Sequence, residues 1–120
     1  MRVVHESADG AETALASDVE VADTFARQFR GLMLYTDVPD DYALVFELGA
    51  AKRRGVHMVF VRTPIDVLWL VDGAVDRVET LSAWTGFARG RADTIVELAP
   101  GAAEGVEPGD EIRIEDDAAP

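Results

Sequence analysis

Residues 56–71, VHMVFVRTPIDVLWLV, form the most apolar part of the sequence and limit its possible folds more than any other segment. Two runs rich in β-branched and aromatic residues flank Arg62-Thr63-Pro64. Pro64 has no N–H to give to a ladder, so it belongs at a turn or a strand start. The pattern predicts a strand over 56–61, a tight connection, and a strand over 65–71. Asp72-Gly73 follows at once, and this pair is the strongest short hairpin signal. A third strand over 74–81 should return beside the second, giving a meander that forms the core.

The flanking sequence extends this β pattern. Short alternating segments predict strands at 2–6, 12–16, 18–22, 42–48, 93–98 and 111–115, separated by turn-rich stretches. One helix is predicted over 24–30: Asp23 is placed as its N-cap, and Gly31 takes the left-handed position after its end. Phe25 and Phe29 lie four apart, and Leu32 and Met33 continue their face toward the sheet. Residues 49–55 (GAAKRRG) and 82–91 (SAWTGFARGR) read as loops. With 120 residues the chain makes a single domain, 1–120, with residues 116–120 frayed. Many short strands and one helix predict a mainly β fold, a compact β-sandwich or partly closed β-barrel with one short α-helix near residues 24–30.

Charge narrows the function classes. The formal net charge is −12, from 23 acidic and 11 basic residues, and Lys52 is the single lysine. The acids are spread along the chain, and 48% hydrophobic residues oppose disorder. An acidic, lysine-poor, well-cored domain fits a halophilic setting, where counter-ions screen self-repulsion. The thermal midpoint is therefore expected to climb with potassium chloride into the molar range, as the Debye length falls from about 30 Å at 0.01 M to about 3 Å at 1 M. A midpoint equal in dilute and molar salt removes the halophilic reading. The same charge opposes nucleic-acid binding, which needs a basic face. The absence of cysteine excludes disulfides and thiolate metal sites. With no long apolar run and a charged N-terminal stretch, the expectation is a soluble cytoplasmic protein without membrane contact.

Few residues carry recognisable chemistry. His5 and His57 are the only histidines, without ligand spacing, so no metal and no cofactor are expected. The serines lack a nucleophile-elbow context. Asp66 shares a strand face with Leu68 and Leu70, and an acid there must be paired, hydrogen-bonded or neutralised. Its expected partners are Arg30, Arg62 or backbone donors near the Thr63-Pro64 turn. His57 and Asp66 are the weak candidates for an acid–base pair. Five of the eleven basic residues fall in 52–54 and 89–91. Arg53, Arg54, Arg89 and Arg91 could supply charge-assisted donors to an anion, with Trp84 as a flat apolar surface. A flat three-stranded meander, however, places those two loops at opposite ends of the sheet.

Three ordered blocks resemble domain of unknown function family 192 over about residues 18–114. They are Arg30-Gly31-Leu32-Met33; His57-Met58 with Pro64-Ile65-Asp66-Val67-Leu68; and Val96-Glu97-Leu98 with Pro100-Gly101 and Gly109-Asp110. The resemblance implies a compact, mostly β domain with a short helix, and it supplies no activity and no catalytic residues. The functional expectation is a non-enzymatic binding module for a small, possibly anionic ligand or a partner segment. The alternatives are a hydrolase-like enzyme using Asp66 and His57, and a protein–protein adaptor.

Overall fold

In the computed structural model, residues 1–116 are described except 23, 25, 26, 29, 30, 34 and 36. The strands are β1 (Arg2–Glu6), β2 (Glu12–Ala16), β3 (Asp18–Val21), β4 (Tyr42–His57), β5 (Ile65–Val71), β6 (Ala74–Leu81), β7 (Phe87–Leu98) and β8 (Glu111–Glu115). All belong to one sheet, in the order β2-β1-β8-β6-β5-β7-β4-β3, and the sheet is not closed into a barrel. The mainly β class stands. Every neighbouring pair is antiparallel except β3 with β4.

The apolar run of β5 follows from its place inside the sheet. Strand β5 lies between β6 and β7, and from Ile65 to Leu70 every residue is buried. Its alternation serves two cores. Ile65, Val67 and Trp69 join Leu44, Phe46 and Met58 on one face, and Leu68 and Leu70 join Val45, Val96 and Leu98 on the other. A strand covered on both sides reads as continuous hydrophobicity rather than alternation. The Asp72-Gly73 hairpin forms as predicted, with φ of 49° and 80° at its two residues, a pairing that demands a residue tolerant of left-handed backbone and a glycine.

The first strand of the predicted meander is corrected. Residues 58–61 form a turn, and β4 is a 16-residue strand that includes the predicted 49–55 loop. Gly49, at φ 84°, and the register shift between Glu47 and Lys52 bend β4 instead of ending it. Strand β4 pairs with β7, which separates it from β5. The predicted 82–91 loop shrinks to a turn, because β7 begins at Phe87. The outer halves of β4 and β7 pair from Lys52↔Ala92 to His57↔Phe87, beyond the last β5–β7 partners, Leu70↔Thr94. This two-stranded ribbon lies against Trp69, whose indole Nε1 donates to the Arg54 carbonyl at 3.0 Å.

The segment before β4 contains a helical turn. Gln28 N–H bonds Thr24 O at 2.9 Å and Gly31 N–H bonds Arg27 O at 3.0 Å. The Thr24 hydroxyl accepts from Arg27 N–H, and Gly31 has the expected left-handed backbone, φ 52°. The predicted Asp23 cap and the Phe25 and Phe29 face lie outside the described residues, as do 117–120. No helix among the described residues is long and apolar enough to cross a membrane.

Candidate functional site: a cationic ribbon and an acid-floored cavity

The ribbon brings together the basic residues that a meander would have separated. Arg53 is paired in register with Arg91, Arg54 with Gly90, and Gly55 with Arg89. Directly opposed residues in an antiparallel pair lie roughly 5 Å apart at Cα, so the two basic runs form one surface. The objection raised by the predicted topology falls because β7, not β5, is the neighbour of β4.

These cations divide by partner. Arg54 is structural: its guanidinium donates to the carbonyls of Ala92, Leu48 and Ala50 at 2.8–3.1 Å, tying the bend of β4 to β7. Arg53, Arg89 and Arg91 are exposed, and their side chains make no ion pair or hydrogen bond among the described residues. Surface ion pairing therefore does not account for them. Outside the ribbon, Arg113 reaches Glu6, Glu12 and Glu115, Arg2 reaches Glu115, Arg27 reaches Glu20 and Arg77 reaches Glu79, while Arg62 is exposed like the ribbon cations without a carboxylate partner among the described residues. The Arg89 guanidinium lies 5.3 Å from the Phe87 ring centroid, over its face.

An apolar tip adjoins the ribbon. Trp84 is 49% exposed, with Phe60 (49%), Val59 (47%) and Phe87 (56%). The Trp84 and Phe60 rings meet edge-on at 5.6 Å. Phe60 and Trp84 both have left-handed backbone, φ 63° and 65°, which for a bulky side chain costs about 1 kcal/mol or more. Reciprocal backbone bonds hold them there: Trp84 N–H to Val61 O, and Met58 N–H to Gly86 O, each 3.0 Å. Trp84 and Phe87 do not tuck back over the core.

Behind the ribbon, Gln28, Gly31, Leu32 and Met33 and parts of β4 and β7 line a half-open cavity of about 430 Å³. Leu32, Met33, Phe46, Leu48, Val56, Val61 and Ile95 give it apolar walls, with Arg53, Arg54 and His57 along one side. Arg27 pins the wall at Gly31 by bonding the Gly31 carbonyl, the Glu20 carboxylate and the hydroxyls of Tyr35 and Tyr42. The hydrogen bond that Arg27 donates to Glu20, then nearby charge, holds the Arg27 guanidinium above its ordinary range, while burial first and Glu20 second push the Tyr42 phenol up.

Glu97 faces this cavity and escaped the sequence reading. It lies opposite Leu44 on β4 and Val67 on β5, is 7% exposed, and makes no hydrogen bond among the described residues. Burial raises its carboxyl from 4.5 to about 7, and the charge of Arg27 pulls slightly the other way. The available signal was an acid inside the apolar run Ile95-Val96-Glu97-Leu98, as unusual as Asp66 inside its own run.

Asp66 has a structural role on the opposite side. It accepts from Thr80 Oγ1 at 2.7 Å and from the backbone N–H groups of Gly101 and Ala103 at 3.0 and 2.9 Å. The reading of a structural acid stands, but the partners differ from those expected: Arg62 does not contact it, and Arg30 lies outside the described residues. His57 is exposed at the end of β4, where its Nδ1 accepts from Val59 N–H at 3.3 Å. Asp66 lines a separate depression with Thr80 and Gly101, so the alternative acid–base pair with His57 is not assembled. Asp66→Asn places an amide where two backbone donors converge. It should lower stability by about 1–3 kcal/mol in chemical denaturation, and an unchanged denaturation midpoint would remove this role.

A family model described as “Uncharacterized ACR” matches residues 4–114. A UPF0127 protein of Thermococcus kodakarensis is 50% identical over 54 residues, 43% of this chain and 33% of that one. A UPF0127 protein of Thermococcus sibiricus is 40% identical over 101 residues, 78% of this chain and 64% of that one. The matched segments thus span from a third to just under two thirds of these relatives. Two crystal structures share the fold with TM-scores of 0.80. One, from Sinorhizobium meliloti 1021, is provisionally named a transcription regulator; it is 23% identical and covers 93% of this chain and 91% of its own. The other, a protein of unknown function from Novosphingobium aromaticivorans, is 22% identical and covers 95% and 84%.

Proposed function

We propose, from the premise that this chain belongs to domain of unknown function family 192, that it is a non-enzymatic binding module whose β4/β7 ribbon takes a small anionic ligand. One observation carries the reading. In a chain of net charge −12, Arg53, Arg89 and Arg91 stand exposed on paired strands without a carboxylate partner. Unpaired guanidinium groups side by side repel one another, and an anion between them relieves that repulsion through charge-assisted bonds. Trp84 and Phe87 add an apolar platform, which favours an anion carried on a flat organic body. Arg54 supports the ribbon rather than the ligand.

Naphthalene-2-sulfonate combines these features and serves as the probe. It should bind the protein, and Arg89→Ala and Trp84→Ala should each weaken binding about fivefold or more, or roughly 1 kcal/mol. Both variants should keep the thermal midpoint of the parent, because the two side chains are exposed. Undiminished binding in both variants would exclude the ribbon as the site.

The apolar tip favours a second reading, the adaptor. Four large apolar side chains about half exposed, two on strained backbone, form a surface suited to a partner segment. Docking through the tip would fail with Phe60→Ala and survive Arg89→Ala, whereas anion binding on the ribbon reverses that order.

A further inference from the structure

We propose that the cavity between Gly31, Leu32 and Met33 and strand β4 is a binding site for a small primary amine, with Glu97 taking the ammonium and the apolar walls taking the body. This site shares Arg53 with the ribbon surface but has Glu97 at its floor, and would hold a ligand of opposite charge.

The starting point is the state of the Glu97 carboxylate. It is more than nine-tenths buried and has no donor among the described residues. No fully enclosed side-chain polar atom in the described residues lacks a partner, so the Glu97 oxygens open onto the cavity that it lines. A buried carboxylate without donors is costly, and it calls for a proton or a donor from outside.

The described residues supply no such donor. Among them, the charged and titratable groups around the cavity are Arg27, Arg53, Arg54 and His57. Arg27 is committed to Glu20, Gly31, Tyr35 and Tyr42, and Arg54 to three carbonyls. Arg53 and His57 make no bond to Glu97. The charge of Arg27 favours ionisation of the acid without satisfying its lone pairs.

The form of the space selects the ligand. Gly31 forms the wall above the acid, where an added Cβ would stand 3.7 Å from both Glu97 Oε1 and Phe46 Cζ. The glycine therefore leaves room beside the carboxylate, next to an aromatic edge. A volume of about 430 Å³ falls in the range of small-molecule sites, roughly 300–1,000 Å³. An ammonium brings three donors and a full positive charge to an acid that lacks both. Leu32, Phe46 and Ile95 provide contact for an apolar body. An anion is opposed at this floor, and the chain's net charge of −12 draws cations toward it.

Benzylamine and its neutral counterpart benzyl alcohol test the assignment at about pH 8, by calorimetry and by amide shifts in two-dimensional NMR. Benzylamine should bind the parent about tenfold more tightly than benzyl alcohol, with shifts centred on Gly31, Leu32, Val56 and Ile95. Glu97→Gln should bring the two affinities together while benzyl alcohol still enters the cavity. Glu97→Asp retracts the carboxylate by one methylene and should give an intermediate preference, which keeps the test open if the glutamine variant folds poorly. Equal affinity of the two probes for the parent overturns the proposal. So does a benzylamine preference that survives both substitutions, or shifts confined to the outer surface. None of these results depends on sulfonate binding at the ribbon, so either site can fail alone.

Discussion

Replacing Glu97 with glutamine should remove a loss of stability that the parent suffers between about pH 4.5 and pH 7. The sign follows from the raised carboxyl. Between its ordinary 4.5 and its folded value of about 7, the folded state holds a proton that the unfolded state has released. Stability from this group is therefore fully present below pH 4.5 and declines as pH rises to 7. A shift of this size corresponds to about 3 kcal/mol at pH 8. Asp110 acts in the opposite sense, since its bond from His5 and then the Glu107 N–H hold its carboxyl below the ordinary range. That contribution is present above the unfolded value, is lost as pH falls, and is common to both proteins. The quantity to measure is thus the difference between parent and Glu97→Gln unfolding free energies across pH 4–8. It should grow in favour of the variant by about 3 kcal/mol, whatever constant offset the amide introduces. A difference independent of pH would show that Glu97 ionises normally in the fold.

Gly90→Ala should lower the thermal midpoint by roughly 10 °C, corresponding to about 3 kcal/mol in a domain of this size. A Cβ at position 90 would stand 2.6 Å from Trp69 Cγ and 2.9 Å from Cδ1 and Cδ2. The indole cannot withdraw easily, because it is fully buried and its Nε1 is bonded to the Arg54 carbonyl. The ribbon must lift, which breaks that bond and opens the wall of the cavity. Trp69→Phe alone should also destabilise, but Gly90→Ala should cost less in its presence, because the smaller ring makes room. A midpoint within about 2 °C of the parent would mean that the ribbon does not rest on Trp69.

The legibility of the sequence varied with the physics of each element. The β5–β6 hairpin was readable because Asp72-Gly73 meets a strict backbone requirement, and β1, β2, β3 and β8 because their pattern was local; of β4 and β7 only the parts at 42–48 and 93–98 were read. The ribbon was not. Arg53, Gly55 and His57 are exposed, Arg54 is half-buried and Val56 buried, and the residues this strand packs on, Trp69 among them, are distant in sequence. Residues 58–61 misled for the opposite reason: Met58 and Val61 are buried while Val59 and Phe60 are exposed, so a turn presents the composition of a strand. Neighbours within the sheet were also hidden, since β7 separates β4 from β5 across a long sequence gap. Asp66 was recognised as an acid that must find partners. Glu97 posed the same problem without a partner, and only the packing of Leu44 and Val67 beside it shows that it is enclosed.

The position of β1 determines when the molecule can be completed. Strand β1 lies between β2 and β8, and its link to β8 joins Arg2 to Glu115 across 113 positions. At about 5–20 residues per second, a ribosome adds that intervening chain in roughly 5–20 s. Until β8 is made, the edge of β1 that pairs with it has its backbone donors and acceptors open, and Val3 and Val4 lack their cover. Glu6 and Glu12, flanking that edge, place negative charge where another nascent chain would otherwise pair. Part of the chain's acidity thus sits beside an edge that stays unpaired until translation reaches β8.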